Sequence, residues 1–425
     1  MKTANESIGK GVKVAIIGGG PAGLSAVIEL GRLPFVDWHL YEQKPTISEI
    51  GTGITLQRNT WVLLEKLGAS RHFRTSDIFR PADGHDNQYR NGVTGEVVKQ
   101  THPSVITPHQ APCRVHRGKL QRALLREVDQ DRIRTSEKLV SVEQGNDGQF
   151  RLSFASGFAS KVDLLLGADG IRSVIREFAF PNYNISYSGM TAYRAVVRAS
   201  EAEQINGLSK AMIFWYSTKN GWIYTTPLDE NDWEITCRIR EPDDGDRSSW
   251  GKEVSVKKFV ALFGEYCEPI QQLLSLVTRV KRFDYFGSRR LDSVVSHGSV
   301  ALLGDASHQL SGAFGAGAAF AMEDAHVLAG AISWAASSGR GLGDALRVFD
   351  DVRSAHYRNL YQTLDDIAVA HKKTFTEASS VDEEIVGQIN NVSSPDRNWM
   401  YYHNAGQALE DRINAIDEHP LKHKL

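Results

Sequence analysis

The hydrophobic pattern of the first residues predicts a strand, a glycine-rich turn and a helix. In VKVAIIGGGPAGLSAVIEL, residues 12 to 30, a continuous apolar run ends at glycines, and apolar positions then recur at helical spacing. A further apolar run, WHLYEQ at residues 38 to 43, predicts a second strand. Two buried strands joined by a helix are typical of a parallel βαβ unit, so we expect an α/β fold.

The pattern changes twice further along the chain. Residues 59 to 68 and 116 to 128 have the apolar spacing of helices, and KVDLLLG at 161 to 167 predicts another buried strand. Between residues 183 and 286, runs of β-type residues dominate, which predicts an inserted antiparallel sheet. SVALLGDA, at 299 to 306, returns to the buried-strand pattern, and the remainder is mostly helical.

The composition is that of an ordinary globular protein. Of 425 residues, 41% are hydrophobic and 24% charged, and the net charge of −2 favours neither nucleic acid nor a membrane as partner. No apolar run reaches the length of a transmembrane helix or a secretory leader, so we expect a cytoplasmic protein. Because Cys113, Cys237 and Cys267 lack metal-type spacing, we expect reduced thiols and no metal site.

The first glycine turn predicts a nucleotide cradle. Gly18 permits the tight turn, Gly20 lets a pyrophosphate approach the backbone, and Gly23 lets the helix lie close to the strand. Ala22 belongs to the same cradle. Glu42, 42 − 23 = 19 residues beyond the last glycine, is placed to accept hydrogen bonds from an adenosine ribose and disfavours the 2′-phosphate of NADP. The motif fits FAD or NAD without separating them; the alternative is a surface turn with no ligand.

A second glycine-rich loop, LLGDASHQLSGAFGAGAAFAMEDA, occupies residues 302 to 325. Asp305 is an acceptor at the end of a predicted strand, and Gly315, Ala316 and Gly317 open a helix whose backbone N–H groups can face an electron-rich ligand. FAD is long enough to need two such loops, one for its ADP half and one for its ribityl and isoalloxazine half. We therefore expect one nucleotide to span both.

Five motifs in order carry a resemblance to a known family. They are Gly18-x-Gly20-x-x-Gly23 with Glu42, EIGTGITLQRN at 49 to 59, VHRGKL at 115 to 120, GADGIRS at 167 to 173, and GDASH with EDA between 304 and 325. The chain resembles the class A flavoprotein monooxygenases, which are single-component aromatic hydroxylases, and most of all their salicylate hydroxylase-like branch. The resemblance covers essentially the whole chain.

The resemblance implies a Rossmann-like FAD-binding domain of the PHBH type, with an inserted antiparallel-sheet substrate domain and a helical C-terminal region. The expected boundaries are residues 1–182 and 287–370 for the FAD-binding domain, 183–286 for the substrate domain and 371–425 for the C-terminal region.

The resemblance also implies roles for individual residues. Arg117 would contact the flavin side of the cofactor and Asp305 its ribityl chain, while Asp169 is associated with both FAD and nicotinamide function. Gly51 and Gly53 would lie in a loop close to the flavin.

The implied reaction is hydroxylation of a phenolic or other aromatic substrate. NADH or NADPH reduces FAD, O2 forms a flavin C4a-hydroperoxide, and its distal oxygen passes to the electron-rich ring. The partners would be a small aromatic molecule and O2, and the chain a monomer or homodimer. Over the flavin the family has a proline where this chain has Gly312, which adds an N–H donor and backbone freedom.

A few residues are candidates for binding the substrate or moving a proton. Arg194, on a strand of the inserted sheet, could pair with a carboxylate or phenolate, or could be structural. Tyr224 could hydrogen-bond a phenol or belong to the core, and Arg238 is a further candidate. His308 could relay a proton or serve in packing.

Four other functions compete with hydroxylation. A flavin halogenase is opposed by Trp222-Ile-Tyr-Thr-Thr-Pro227, which matches the WxWxIP pattern at only two of four positions. An epoxidase or Baeyer–Villiger-type oxygenase on the same fold, and a non-catalytic flavin-binding protein, stay open. An ordinary NAD dehydrogenase would be colourless, whereas a flavoprotein is yellow.

Overall fold

The structure is a computed structural model that describes residues 8, 11–48, 52–102, 107–218, 221–248, 251–287, 290–310 and 313–418. Its strands are β1 (Val12–Ile17), β2 (Val36–Tyr41), β3 (Gly53–Leu56), β4 (Ile78–Phe79), β5 (Gln88–Asn91), β6 (Val97–Gln100), β7 (Cys113–His116), β8 (Ile133–Arg134), β9 (Leu139–Gln144), β10 (Phe150–Phe154), β11 (Ala159–Val162), β12 (Leu164–Gly167), β13 (Ser186–Arg198), β14 (Ile213–Ser217), β15 (Gly221–Pro227), β16 (Asp232–Arg240), β17 (Lys252–Glu253), β18 (Lys281–Gly287), β19 (Val295–Ser296) and β20 (Val300–Leu302).

Its helices are α1 (Pro21–Leu30), α2 (Arg58–Leu67), α3 (Arg117–Leu125), α4 (Val174–Ala179), α5 (Ala199–Ala202), α6 (Val256–Ala261), α7 (Glu268–Ser275), α8 (Gly317–Ser337), α9 (Leu342–Glu377), α10 (Val381–Val392) and α11 (Ala405–Glu418). The predicted helices at 59 to 68 and from 116 are confirmed as α2 and α3. Gly68 ends α2 in the left-handed conformation, with φ of 83°, which favours glycine. Among the described residues, no helix combines the length and apolar character that crossing a bilayer requires.

A six-stranded sheet forms the centre of the first region. Its order is β19-β20-β12-β1-β2-β8, and every pairing is parallel except that of β19 with β20. Ile16 belongs to the core that includes α1 and α8, whereas Ile17 belongs to the core shared with β9, β10 and β11. Because both faces are covered, the strands carry continuous apolar runs, as the sequence predicted.

An eight-stranded sheet forms the second region, in the order β17-β18-β13-β16-β15-β14-β5-β6. The predicted antiparallel sheet of residues 183 to 286 is confirmed, since β13 to β18 all pair antiparallel. The sheet continues through β5, which runs parallel to β14. The strands β5 and β6 come from residues 88 to 100, well before the predicted insertion. One face, hereafter the outer face, carries Trp215 and Trp233, both fully buried in the core that α6 and α7 cover.

The opposite, inner face of this sheet points towards the remaining elements. At one side α10 packs on it, with Ile385 and Ile389 buried against Tyr89 and Tyr216. At the other side lies the small sheet β3-β7-β4, which joins the two regions. The domain boundaries predicted from sequence stay predictions, but the inner face is the place where the regions meet.

Candidate active site

The first loop uses its glycines in three different ways. Gly18 has φ of 107°, and a Cβ there would overlap the carbonyl of Ala168. A Cβ on Gly23 would overlap the carbonyl oxygen of Gly18, so this glycine lets α1 pack close to the turn. A Cβ on Gly20 would meet no atom within 4 Å. The protein itself therefore does not require a glycine at position 20, and the open backbone fits the approach of a phosphate group to the N-terminus of α1.

Glu42 lies directly after β2 and faces this loop. Its Oε2 accepts a hydrogen bond of 2.8 Å from the backbone N–H of Gly19, and its Oε1 accepts one of 2.9 Å from that of Lys44. An ionised carboxylate has about four acceptor positions, so two remain. The binding of a ribose by Glu42 stays a prediction; the contacts show that Glu42 also fixes the loop.

The second loop is held against the first. Gly304, with φ of 58°, follows β20, and a Cβ there would lie 3.1 Å from the Cβ of Ala22 and 3.2 Å from that of Ala321. Since Ala22 belongs to α1 and Ala321 to α8, this glycine lets the starts of the two helices approach. The next residue, Asp305, has an exposed side chain in a short 3-10 turn. Two loops that lie far apart in sequence are neighbours in the fold.

The backbone before α8 is unusual. Phe314 and Gly315 both have positive φ, of 54° and 65°, and Ala316 is the N-cap of the helix. A Cβ on Gly317 would meet no atom within 4 Å. Like α1, α8 thus begins with open backbone, so the two helix N-termini fit the two polar parts of a long nucleotide. Gly51 and Gly312 lie outside the described residues.

Two other predicted flavin residues order nearby backbone. The Oδ2 of Asp169 accepts hydrogen bonds from the N–H groups of Val174 and Ile175, at 2.8 and 3.3 Å, so this carboxylate fixes the start of α4. Burial raises the pKa of Asp169. Arg117 begins α3, and its N–H donates to the carbonyl of Thr52 at 3.1 Å. Their roles towards FAD stay predictions.

A buried ion pair that the sequence analysis missed lies where the small sheet meets the inner face. Glu234 is fully buried and pairs with Arg114, and it also accepts a hydrogen bond of 2.8 Å from the hydroxyl of Thr52. Burial raises the pKa of Glu234, but the charges of Arg114 and Arg194 outweigh it and lower that pKa to about 2. A Cβ on Gly53 would overlap this pair, so the packing of the protein already requires that glycine.

The inner face presents polar and aromatic side chains in ordered rows. In the register of the sheet, Arg238 is opposite Trp222, and Thr236 lies between Tyr224 and Arg194. Because alternate residues of a strand share a face, these five side chains belong to one surface.

Tyr224 is a buried and neutral phenol on that surface. Burial, more than any other influence, raises its pKa to about 12. Its ring lies 4.6 Å from that of Phe214 and 5.0 Å from the guanidinium of Arg114. Arg194 lies on the same face, on the other side of Thr236, with Nη1 3.5 Å from the Thr52 hydroxyl. The structure thus places two of the predicted substrate residues on one surface.

Arg238 is placed in an aromatic setting. Its guanidinium lies 5.9 Å from the ring of Trp222 and 5.4 Å from that of Tyr285. Within the part of the chain that the structure describes, no carboxylate pairs with it, although its Nε is buried. Burial, followed by the charges of Arg397 and Arg238, lowers the pKa of His371 on α9. Half-buried Arg238 is therefore a cation suited to an anion from outside the chain.

His308 lies apart from this surface. It is buried and stacks on Tyr357, with ring centroids 3.6 Å apart and planes 15° apart. Burial and then the charge of Arg353 lower the pKa of His308 to about 3. Because a neutral, stacked imidazole is poorly suited to moving protons, these contacts favour the packing alternative; the relay stays an untested prediction.

Comparison with known proteins identifies a family model and relatives that match this chain. A family model described as FAD binding domain matches residues 11–363. A salicylate hydroxylase of Pseudomonas putida is 26% identical over 382 residues, which make up 83% of this chain and 84% of that protein. A 2-heptyl-3-hydroxy-4(1H)-quinolone synthase of Pseudomonas aeruginosa is 30% identical over 319 residues, 74% of this chain and 79% of that protein.

A solved structure supports the same fold. The complex of a salicylate hydroxylase with its substrate superposes with a TM-score of 0.79 at 21% identity, covering 95% of this chain and 98% of that one. At this identity the likeness concerns the fold alone. It confirms the predicted α/β architecture with a helical C-terminal region.

Proposed function

We propose a class of aromatic substrate for this chain, which belongs to the FAD binding domain family. The chain is an FAD-dependent aromatic monooxygenase of the salicylate hydroxylase-like group. FAD is its cofactor, NAD(P)H its reductant, and a small aromatic molecule receives the oxygen. The open question is the chemistry by which this molecule is recognised.

The two loops are the part of the chain that fits FAD. Gly20 and the N-terminus of α1 would hold the pyrophosphate, and Glu42 the adenosine ribose, because open N–H groups and a carboxylate match those partners. Asp305 and the start of α8 would hold the ribityl and ring half. Bound FAD supplies the activation of O2, and the residues of the chain supply orientation, exclusion of water and fixed charges.

We infer that the substrate is an anionic aromatic molecule whose negative group pairs with Arg238. The observation that carries this inference is the position of that guanidinium, between Trp222 and Tyr285 and without a carboxylate partner among the described residues. An arginine in such a place binds a carboxylate through charge-assisted hydrogen bonds while its aromatic neighbours cover the ring.

The register of the sheet gives the substrate a direction. Alternate residues on one strand lie about 7 Å apart, so Thr236 follows Arg238 at roughly the length of a substituted benzene ring. An aromatic substrate anchored at Arg238 would extend over Thr236, with Tyr224 and Arg194 on either side. Tyr224, neutral at physiological pH, can donate a hydrogen bond to a phenolic oxygen at that end.

Arg194 would act with the Arg114–Glu234 pair at the far end of the substrate. Arg194 lies beside buried Glu234, whose negative charge balances Arg114. This leaves Arg194 placed to stabilise negative charge on an oxygen of the ring. A hydroxybenzoate, the type of compound that a salicylate hydroxylase takes, has the required anion and phenol.

The test compares salicylate with salicylamide, its neutral analogue of nearly equal size, on the FAD-loaded protein. Binding is followed by the change in flavin absorbance and turnover by oxygenated product. We expect wild type to bind salicylate more tightly, and Arg238→Met to lose about 10- to 100-fold in salicylate affinity with little change for salicylamide. Arg240→Met, an exposed position on the same face of β16, is the matched control and should behave as wild type.

Equal affinities of wild type for the two compounds, or tighter binding of a neutral heteroaromatic, would contradict the proposal. The same would follow if the two arginine variants behaved alike. Loss of flavin in Arg238→Met is checked by its absorbance, so a folding or cofactor defect is separated from a substrate defect.

A further inference from the structure

Three side chains from separate elements meet outside the active-site surface. Glu323 lies on α8, His356 on α9 and His403 just before α11. One ligand atom from each lies within 4.8 Å of the other two. The Oε2 of Glu323 and the Nε2 of His356 are 3.2 Å apart, and the two imidazole rings stack with centroids 3.8 Å apart.

The Nε2 atoms of both histidines lack an aligned hydrogen bond. The side chain of His356 is only 4% exposed, yet its Nε2 forms no aligned hydrogen bond, and the Nε2 of His403 is likewise buried without a partner among the described residues. A buried polar atom without a hydrogen bond costs about 1–3 kcal/mol. Two such atoms in a cluster with one carboxylate favour a ligand that all three side chains share.

The carboxylate is already oriented. Its Oε1 accepts a hydrogen bond of 3.0 Å from Asn59, and its Oε2 accepts one of 3.0 Å from Arg353. Residues that hold a ligating carboxylate in place are a regular feature of metal sites. Asn59 also donates to the carbonyl of Met400 at 3.1 Å, which ties the chain next to His403 to the same cluster.

We propose that Glu323, His356 and His403 bind a divalent transition-metal ion of the zinc type. Ligands about 2.1 Å from a tetrahedral ion lie about 3.4 Å from one another, which matches the 3.2 Å between Glu323 and His356. Because the two imidazole rings stack nearly in parallel, His403 has to turn out of this stack to face the ion. It then completes a set of two nitrogens and one oxygen, with a fourth position for water. Imidazole ligands favour zinc over magnesium or calcium, which prefer oxygen.

The positive guanidinium of Arg353 lies near the proposed site and would repel a metal ion, but its charge is compensated. The Nε of Arg353 pairs with Asp324 at 2.7 Å while its Nη1 binds Glu323. Two carboxylates and one guanidinium leave one net negative charge, so the ion does not enter a positive environment. Arg353 thus holds Glu323 in position while Asp324 balances its charge.

The ion would join the C-terminal segment to the flavin-binding region. Tyr401, two residues before His403, donates a hydrogen bond of 3.0 Å to the carbonyl of Phe314 in the second loop. Glu323 lies in the helix that follows that loop. A bound metal would therefore fix the wall next to the loop without touching the reacting atoms.

The experiment uses the full-length, FAD-loaded protein, and zinc as the probe. After chelator treatment, zinc is added through a competing chromophoric chelator, and thermal unfolding is recorded in parallel. We expect about one equivalent of tightly bound zinc, a rise in melting temperature that EDTA reverses, and a tetrahedral absorption spectrum when Co2+ replaces zinc. His403→Asn should lower zinc affinity at least about 10-fold.

The control is His109→Asn, because His109 also pairs with a glutamate, Glu65, at 2.9 Å but on the surface and without a third ligand. It should leave zinc binding unchanged. Wild type that binds no zinc within the range of the chelator overturns the proposal, whatever the variants do. Equal zinc binding by the two variants also overturns it.

Discussion

The nucleotide loops and the inner face of the eight-stranded sheet are the two parts of the proposed active site, and they are made in different ways. Around Gly18, Gly20 and Gly23 the site consists of backbone, and each glycine has a contact or an opening that explains it. On the inner face, Arg238, Tyr224 and their neighbours would form the site through side chains. A backbone site constrains residue types along a short stretch, whereas a side-chain site depends on which strands become neighbours.

The largest effect should come from a substitution on the inner face, the part of the site that side chains form. Glu234→Gln removes the carboxylate that balances buried Arg114 and leaves an unpaired charge, so the free energy of unfolding should fall by about 3–5 kcal/mol. Urea unfolding of the FAD-loaded protein measures this. Glu253→Gln, which breaks an exposed pair with Arg279, should lower the free energy of unfolding far less, because water screens an exposed pair. Similar losses of unfolding free energy in both variants would show that burial does not determine how much the ion pair contributes.

The same pair should limit stability in acid. The folded pKa of Glu234, about 2, lies below that of an unfolded glutamate, about 4.3. The carboxylate therefore stabilises the fold fully above pH of about 4.3, and this contribution is lost as the pH falls towards 2. The difference in unfolding free energy between wild type and Glu234→Gln should shrink over that range. A constant difference would show that the pair does not titrate as inferred.

Two glycine variants distinguish the roles of glycines within the first loop, the part of the site that backbone forms. Gly23→Ala places a Cβ on the carbonyl of Gly18 and should destabilise even the flavin-free protein, by about 1–3 kcal/mol. Gly20→Ala meets no protein atom, so the flavin-free protein should keep its stability while FAD affinity falls. Thermal unfolding with and without FAD separates the two. Unchanged FAD affinity in Gly20→Ala would remove position 20 from the cradle.

A smaller effect is expected at the second loop. Asp305→Ala should weaken FAD about 10-fold, the size of one hydrogen bond to a charged group, and leave the binding of ADP unchanged because ADP lacks the ribityl half. Fluorescence titration of the flavin-free protein gives both constants. Asp243→Ala, an exposed carboxylate of the substrate region, is the control. Full FAD affinity in Asp305→Ala contradicts the assigned role.

The smallest effect should be on coupling. Arg194→Ala leaves Arg238 to anchor the substrate, so affinity should fall only a few-fold. A larger share of the NAD(P)H consumed should then end as H2O2, because charge on the ring oxygen is less well stabilised. Parallel assays of NAD(P)H, peroxide and product measure this share. Unchanged coupling with the true substrate would exclude Arg194 from the site.

Much of the fold was predictable because local signals carry it. The apolar run into Gly18 predicted β1 and α1, and Gly68 predicted the end of α2. The parallel pairing of β14 with β5 was not predictable in this way. More than a hundred residues separate the strands, and no short-range pattern records which strand will lie beside which.

Some residues of the candidate site could not be predicted from the sequence for the same reason. Arg114 directly precedes the motif VHRGKL, in which the resemblance implies flavin contact for Arg117, and Glu234 stands in the strand DWEITCRI. A glutamate among buried strand residues was a signal for a partner, but only the meeting of β7 with β16 identifies it. The cluster of Glu323, His356 and His403 likewise draws on three distant segments.

The central claim, that one FAD spans both loops, is tested most directly by calorimetric titration of the flavin-free protein with FAD, alone and after saturation with ADP. We predict one FAD per chain and competition by ADP, since both ligands need the cradle at Gly20. Failure to take up FAD, or FAD binding that ADP leaves unchanged, would contradict the account.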